Sequence, residues 1–190
     1  MRATLERPAQ GLVSLAAGIM DVPGAILTAV DDNRLLHVAK VGPIELSTDH
    51  ESSLCAQVIH RSEPIVLSDA RAENGFAASP DVAGPPAVRF YAGIPVRSRS
   101  GTTVGALSIC DQRVRSLEPG SIRLLGLLGE QAAVLLESMD RMERFELLNR
   151  LFPPCSRCKR QDSVATEWAN PGGYYAGRVC SRCLDEMSQE

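Results

Sequence analysis

The chain has 190 residues, 44% hydrophobic and 23% charged, with a formal net charge of −3. That length suits one domain and a small appendage, with a real core beneath a solvated surface. The weakly acidic balance argues against nucleic acid or anionic lipid as a partner. No apolar run approaches the ~18 residues of a membrane span, and Met1-Arg2-Ala3-Thr4-Leu5-Glu6-Arg7-Pro8 lacks the apolar stretch of a signal peptide. A reducing cytoplasm is the expected location.

Leu12, Leu15, Ala16 and Ile19 recur at helical spacing and predict a helix over 8–20, with Pro8 tolerated in its first turn. The run from Gly24 to Val30 reads as a buried strand, Asp31-Asp32-Asn33 as a turn, and Arg34 to Val41 as the returning strand of a hairpin. A second helix is expected over about 51–61, opened by a Thr48 or Asp49 cap, with Leu54, Val58 and Ile59 on one stripe. Ile65-Val66-Leu67 is a short strand. Residues 68–87, interrupted by Gly75, Pro80, Gly84, Pro85 and Pro86, admit no long element and read as a partly helical wall over a cavity. Val88 to Val96 and Thr103 to Asp111 form the clearest hairpin. Five strands with helices before, between and after them predict an α+β domain, an antiparallel sheet flanked by helices, over 1–118.

From Pro119 to about Leu151 the pattern is helical. At 1.5 Å per residue this gives about 50 Å, against ~30 Å for the width of such a domain. Leu125, Leu128, Ala132, Leu135, Met139 and Met142 advance in steps of three and four, the seam of a two-stranded coiled coil, so 119–151 is expected to be a signalling helix that forms a homodimer. The rival placement of this face is against the domain's own sheet.

Residues 152–190 carry Cys155-Ser156-Arg157-Cys158 and, twenty-one residues later, Cys180-Ser181-Arg182-Cys183. Two residues between cysteines let both sulfurs meet one ion at about 2.3 Å, and two such knuckles complete a tetrahedron. A structural zinc ion on Cys155, Cys158, Cys180 and Cys183 is expected. A segment of about forty residues cannot bury enough surface to fold alone, and zinc binding at roughly 10–16 kcal/mol supplies what is missing. Paired disulfides need an oxidising compartment, whereas a redox switch that ejects the metal is compatible with the same residues.

Arg89-Phe90-Tyr91-Ala92-Gly93-Ile94-Pro95-Val96 and Gly105-Ala106-Leu107-Ser108-Ile109-Cys110-Asp111 together resemble the central hairpin of bacterial GAF domains. Ser53-Leu54-Cys55-Ala56, Val66-Leu67-Ser68-Asp69-Ala70-Arg71, Phe76 and Pro80 are similar to the same family's helix, short strand and pocket loop, so the resemblance covers about 5–145. It implies a sensor fold with terminal helices on one face of the sheet and a small-molecule pocket on the other. The expected walls are Leu54, Asp69, Phe76, Phe90 and Tyr91. Asp69 either orients a polar ligand or caps residues 71–73, and strand alternation sends Phe90 and Tyr91 to opposite faces. Cys55 is followed by Ala56 rather than the His of bilin-binding members, and no Asn-Lys-x-x-x-Asp-Glu signature of cyclic-nucleotide binders occurs. Free methionine sulfoxide reductases use a cysteine set on this fold; here Cys55 and Cys110 are two, and as a pair they read more readily as small buried hydrophobes.

The tail resembles the four-cysteine segments that follow PAS, receiver and related sensor domains, with Trp168 and Gly177 in comparable places and Ser181 where a Pro is usual. The combined expectation is a sensor that relays ligand binding through its dimer helix and zinc tail to a protein partner. Its rivals are a thiol reductase using Cys55 or Cys110 and a nucleic-acid-binding regulator acting through the tail.

Overall fold

The computed structural model of the chain describes residues 3–31, 34–49 and 51–151, and beyond them 158, 166–169, 175–179, 183, 185 and 186. It contains two compact units, Met1–Ser138 and Met139–Glu190.

The first helix, α1 (Ala3–Ile19), starts five residues before the predicted point, so Pro8 lies inside it rather than in its first turn. Ala9, Leu12, Val13, Ala16 and Ala17 are buried; these mostly small residues let the helix lie close on the strands that follow. Leu15 and Ile19, expected on the same stripe, are instead about half exposed.

Strands β1 (Gly24–Asp31) and β2 (Arg34–Val41) form the first hairpin. Its register slips once, from Leu27 opposite Ala39 to Thr28 opposite His37, so Val38 is an extra residue on β2. Such a bulge re-aims the side chains beside it. Here it brings His37 against Thr28. Just past β2, Gly42 has φ of +87°, and a Cβ there would come within 1.7 Å of the Pro23 carbonyl oxygen, so only glycine fits that turn.

Helix α2 (Leu54–Arg61) is capped by Ser53, whose Oγ accepts from the Ala56 N–H at 3.2 Å. The expected cap residue Asp49 lies one turn earlier, where its Oδ1 accepts from the Glu51 and Ser52 amides. The helix therefore begins three residues later than predicted. The next elements are β3 (Ile65–Leu67) and a single helical turn, α3 (Pro80–Ala83), capped by Ser79. The second hairpin, β4 (Phe90–Arg97) and β5 (Thr103–Asp111), completes an all-antiparallel sheet in the order β2-β1-β5-β4-β3.

Alternation along the strands separates two cores. On one face Ile26, Leu35, Tyr91, Ala106 and Cys110 pack with Leu54, Cys55 and Val58 of α2 and with Phe76 and Val82. Gly93 makes that approach possible: a Cβ there would stand 2.6 Å from Val58 Cγ2 and 2.5 Å from the Tyr91 hydroxyl. The other face receives α4 (Pro119–Leu151). Gly129 of α4 sits against Ile94, and Leu136 against Gly105. At Gly105 the neighbouring strand is close as well, since a Cβ there would stand 2.2 Å from the Thr28 carbonyl oxygen.

The position of α4 corrects the predicted seam. Leu125 and Ala132 are buried with Gly129, Ala133 and Leu136, so this stripe packs on the domain's own sheet. Leu128, Leu135, Met139 and Met142 are half-buried. Among the side chains described, Leu124, Leu127 and Val134 turn outward, displaced around the helix from the expected set. The first part of α4, through Ser138, belongs to the first unit rather than standing apart from it.

In the second unit, β6 (Thr166–Ala169) pairs antiparallel with β7 (Tyr175–Val179), placing Trp168 opposite Gly177. Of the four tail cysteines, Cys158 is exposed and Cys183 buried; Cys155 and Cys180 lie outside the described residues. No helix among the described residues is long and apolar enough to cross a membrane.

Candidate functional site

The α2 face of the sheet carries a cleft of about 520 Å³. His37 and Lys40 of β2 form one wall, residues 45–48 of the following loop another, and Pro80, Asp81, Pro85 and Pro86 the third. Lys40 and Glu45 make an ion pair at its rim, and the ammonium holds the Glu45 carboxyl below the usual range.

Asp81 joins the walls. Its Oδ1 accepts from the Ser47 amide at 2.5 Å and its Oδ2 from the Leu54 amide at 2.7 Å. One fully buried carboxylate thus fastens the loop after β2 and the start of α2 to α3. Local sequence explains its place: Ser79 caps α3 and also donates to the Ser52 carbonyl at 2.9 Å, which sets the direction of Asp81. Burial pushes the Asp81 carboxyl up, against the two amides and the nearby His37, which favour its charged form.

From the cleft a line of polar side chains enters the core. His37 Nε2 lies 3.0 Å from the Leu46 carbonyl oxygen and Nδ1 3.1 Å from Thr28 Oγ1. Thr28 Oγ1 reaches Cys55 Sγ at 3.6 Å; Cys55 Sγ lies 3.6 Å from Ser108 Oγ, which bonds the Tyr91 hydroxyl at 2.8 Å. Thr28, Cys55, Ser108 and Tyr91 are all fully buried. Burial pushes the Cys55 thiol and the Tyr91 phenol up, and it does the same to Cys110. The thiolate is the reactive form of cysteine, and burial disfavours it at both sulfurs.

None of the five expected wall residues borders the cleft. Leu54, Phe76 and Tyr91 belong to the packed cluster beneath α2, and the Arg61 guanidinium stacks 5.0 Å from the Phe76 ring. Phe90 is equally buried but stands outside that cluster, as its alternation with Tyr91 requires. Asp69 accepts from the Arg71 amide at 3.1 Å and from its guanidinium at 2.7 and 3.0 Å, which is the capping role. The residues that do shape the site, Asp81, His37, Thr28 and Ser108, escaped the sequence reading. Their signal was present: Thr28 and Ser108 are polar residues inside otherwise apolar strand runs, and Asp81 follows a Ser-Pro helix start.

This fold has known counterparts. The GAF domain family matches residues 3–137, and the chain belongs to that family, a sensory fold. A cyclic di-GMP phosphodiesterase of Pseudomonas aeruginosa is 28% identical over 131 residues, which is 69% of this chain but only 21% of that protein's length. Among solved structures, a type II free methionine-R-sulfoxide reductase from Thermoplasma acidophilum superimposes with a TM-score of 0.62 at 13% identity, covering 72% of this chain and 95% of the other. The GAF domain of an Acinetobacter phosphoenolpyruvate-protein phosphotransferase gives 0.60 at 18% identity, covering 74% and 86%. At these identities the likeness is one of fold.

Proposed function

We propose that the chain is a non-catalytic sensor of a reducing cytoplasm, which receives a small ligand in the cleft beside Asp81 and passes the change to a protein partner. The observation that carries this reading is the contrast between the two chemistries available. The cleft is bounded by β2, the 45–48 loop and the 80–86 segment, and the Asp81 carboxylate of the last ties the loop to the start of α2, whereas Cys55 and Cys110 are fully buried thiols raised by burial. A ligand that displaces the loop or α3 pulls on α2 through the Leu54 amide.

Two parts of the relay belong to the same proposal. The outward residues Leu124, Leu127 and Val134 of α4 support a homodimer through this helix; large exposed apolar side chains favour association. In the tail, two Cys-x-x-Cys pairs flank a hairpin in which Trp168 faces Gly177. That donor set is thiolate-only and suits zinc, which Cys155, Cys158, Cys180 and Cys183 would hold as a structural ion. Its chemistry there is to stabilise the fold of a short segment.

Native mass spectrometry of protein purified without chelator tests the whole reading, with a retained small molecule, a dimer mass and one zinc per chain expected. Turnover of free methionine sulfoxide that disappears in Cys55→Ser or Cys110→Ser would overturn it in favour of a reductase.

A further inference from the structure

The polar line beneath the cleft permits a count of its hydrogens. The Leu46 carbonyl can only accept, so His37 Nε2, 3.0 Å away, carries a hydrogen. Thr28 has one hydroxyl hydrogen and two neighbours able to take it, His37 Nδ1 at 3.1 Å and Cys55 Sγ at 3.6 Å. When the imidazole is neutral, Nδ1 is a bare acceptor and claims that hydrogen. When a proton from solvent occupies Nδ1, the N–H donates to Thr28 Oγ1, and the hydroxyl turns to Cys55 Sγ.

We propose that the charge state of His37 at the cleft is relayed, by rotation of the Thr28 hydroxyl, to the sulfur of Cys55 in the first turn of α2. One proton binds at Nδ1, and no O–H or S–H bond breaks. The Cys55 hydrogen stays with Ser108, which bonds the Tyr91 hydroxyl, and that hydroxyl donates to Cys55 Sγ at 3.9 Å in either state. Three charged groups face His37: Glu45 from the loop, Asp81 from α3 and Lys40 from its own strand. Lys40 and Glu45 pair with each other, and the Asp81 carboxylate is taken up by the Ser47 and Leu54 amides. His37 is half-buried while Thr28, Cys55, Ser108 and Tyr91 are sealed in. The interior therefore senses the cleft through this one ring. The proposal rests on the cleft being where the sensor receives its signal, and it names what is received: a proton, or a ligand that fixes the protonation state of His37.

The test uses the full chain. The Cys55 S–H stretching band, assigned by its loss in Cys55→Ala, is followed by infrared spectroscopy between about pH 5 and about pH 8, the span in which imidazoles change charge. Nitrogen-15 NMR of labelled histidine reports the His37 tautomer in the same samples. The band should move to lower frequency in step with the appearance of imidazolium at His37. Thr28→Val should remove that movement while His37 still titrates, and Thr28→Ser, which keeps the hydroxyl, should restore it. A band that stays fixed while His37 titrates, an equal movement in Thr28→Val, a neutral His37 protonated at Nδ1, or a His37 that never changes charge in this span would each overturn the relay. A relay that operates in protein retaining no small molecule would sink the ligand reading alone.

Discussion

Asp81 shows how a single side chain can set both a site and its response to acid. Burial raises its folded-state pKa, so its contribution to stability is fully present below the ordinary carboxylate range and is lost as pH rises through the raised value. Asp81→Asn removes that dependence but offers one acceptor oxygen to two amides. It should lower stability by about 1–3 kcal/mol at neutral pH and flatten the acid limb of a plot of melting temperature against pH. Gly93→Ala tests the other close approach: a Cβ 2.6 Å from Val58 and 2.5 Å from the Tyr91 hydroxyl must push α2 off the sheet. An overpacking cost of about 1–3 kcal/mol is expected in urea denaturation. Individual roles were the least legible part of the sequence. Period-two alternation reveals that Thr28 and Ser108 break an apolar pattern, yet only the bulge at Val38 reveals that His37 completes their line. A one-residue slip between strands leaves no mark in composition or periodicity.

The strands and helices themselves were easier to read, because each is dictated locally. Strand β5 and helix α4 run between the predicted residues, since Gly101 (φ +86°) and Pro119 punctuate the chain where they should. What periodicity does not supply is the choice between neighbouring stripes of one helix. Both the Leu125–Ala132 stripe and the Leu124–Leu127–Val134 stripe of α4 are apolar; Gly129, small enough to meet Ile94, is what selects the inward one. The two stripes should respond oppositely to substitution. Leu127→Glu with Val134→Glu should convert a dimer to a monomer by analytical ultracentrifugation, with little change in melting temperature. Leu136→Ala, on the buried face against Gly105, should leave the oligomer intact and cost about 2–5 kcal/mol in denaturant unfolding. A monomeric parent protein would sink the first expectation.

At the scale of the molecule, the order of elements was legible as an antiparallel α+β domain, and the family match over 3–137 agrees with that reading. The chain's one tryptophan, Trp168, lies in β6, outside this domain. Its emission therefore reports the tail alone. If the four cysteines hold zinc, a strong chelator should shift Trp168 fluorescence toward that of solvent-exposed indole, and added zinc should reverse it. Fluorescence indifferent to both treatments would remove zinc from the account of the tail.

The extra residue at Val38 also changes which edits of the gene this protein can survive. Loss of the Val38 codon would remove only the unpaired residue and leave Arg34 to His37 opposite their present partners on β1. Strand β1 holds no spare residue against β5, so loss of one of its codons would slide part of the strand by one place and exchange its inward and outward members. In a deep mutational library in-frame deletions should be rejected across β1 and be best tolerated at position 38.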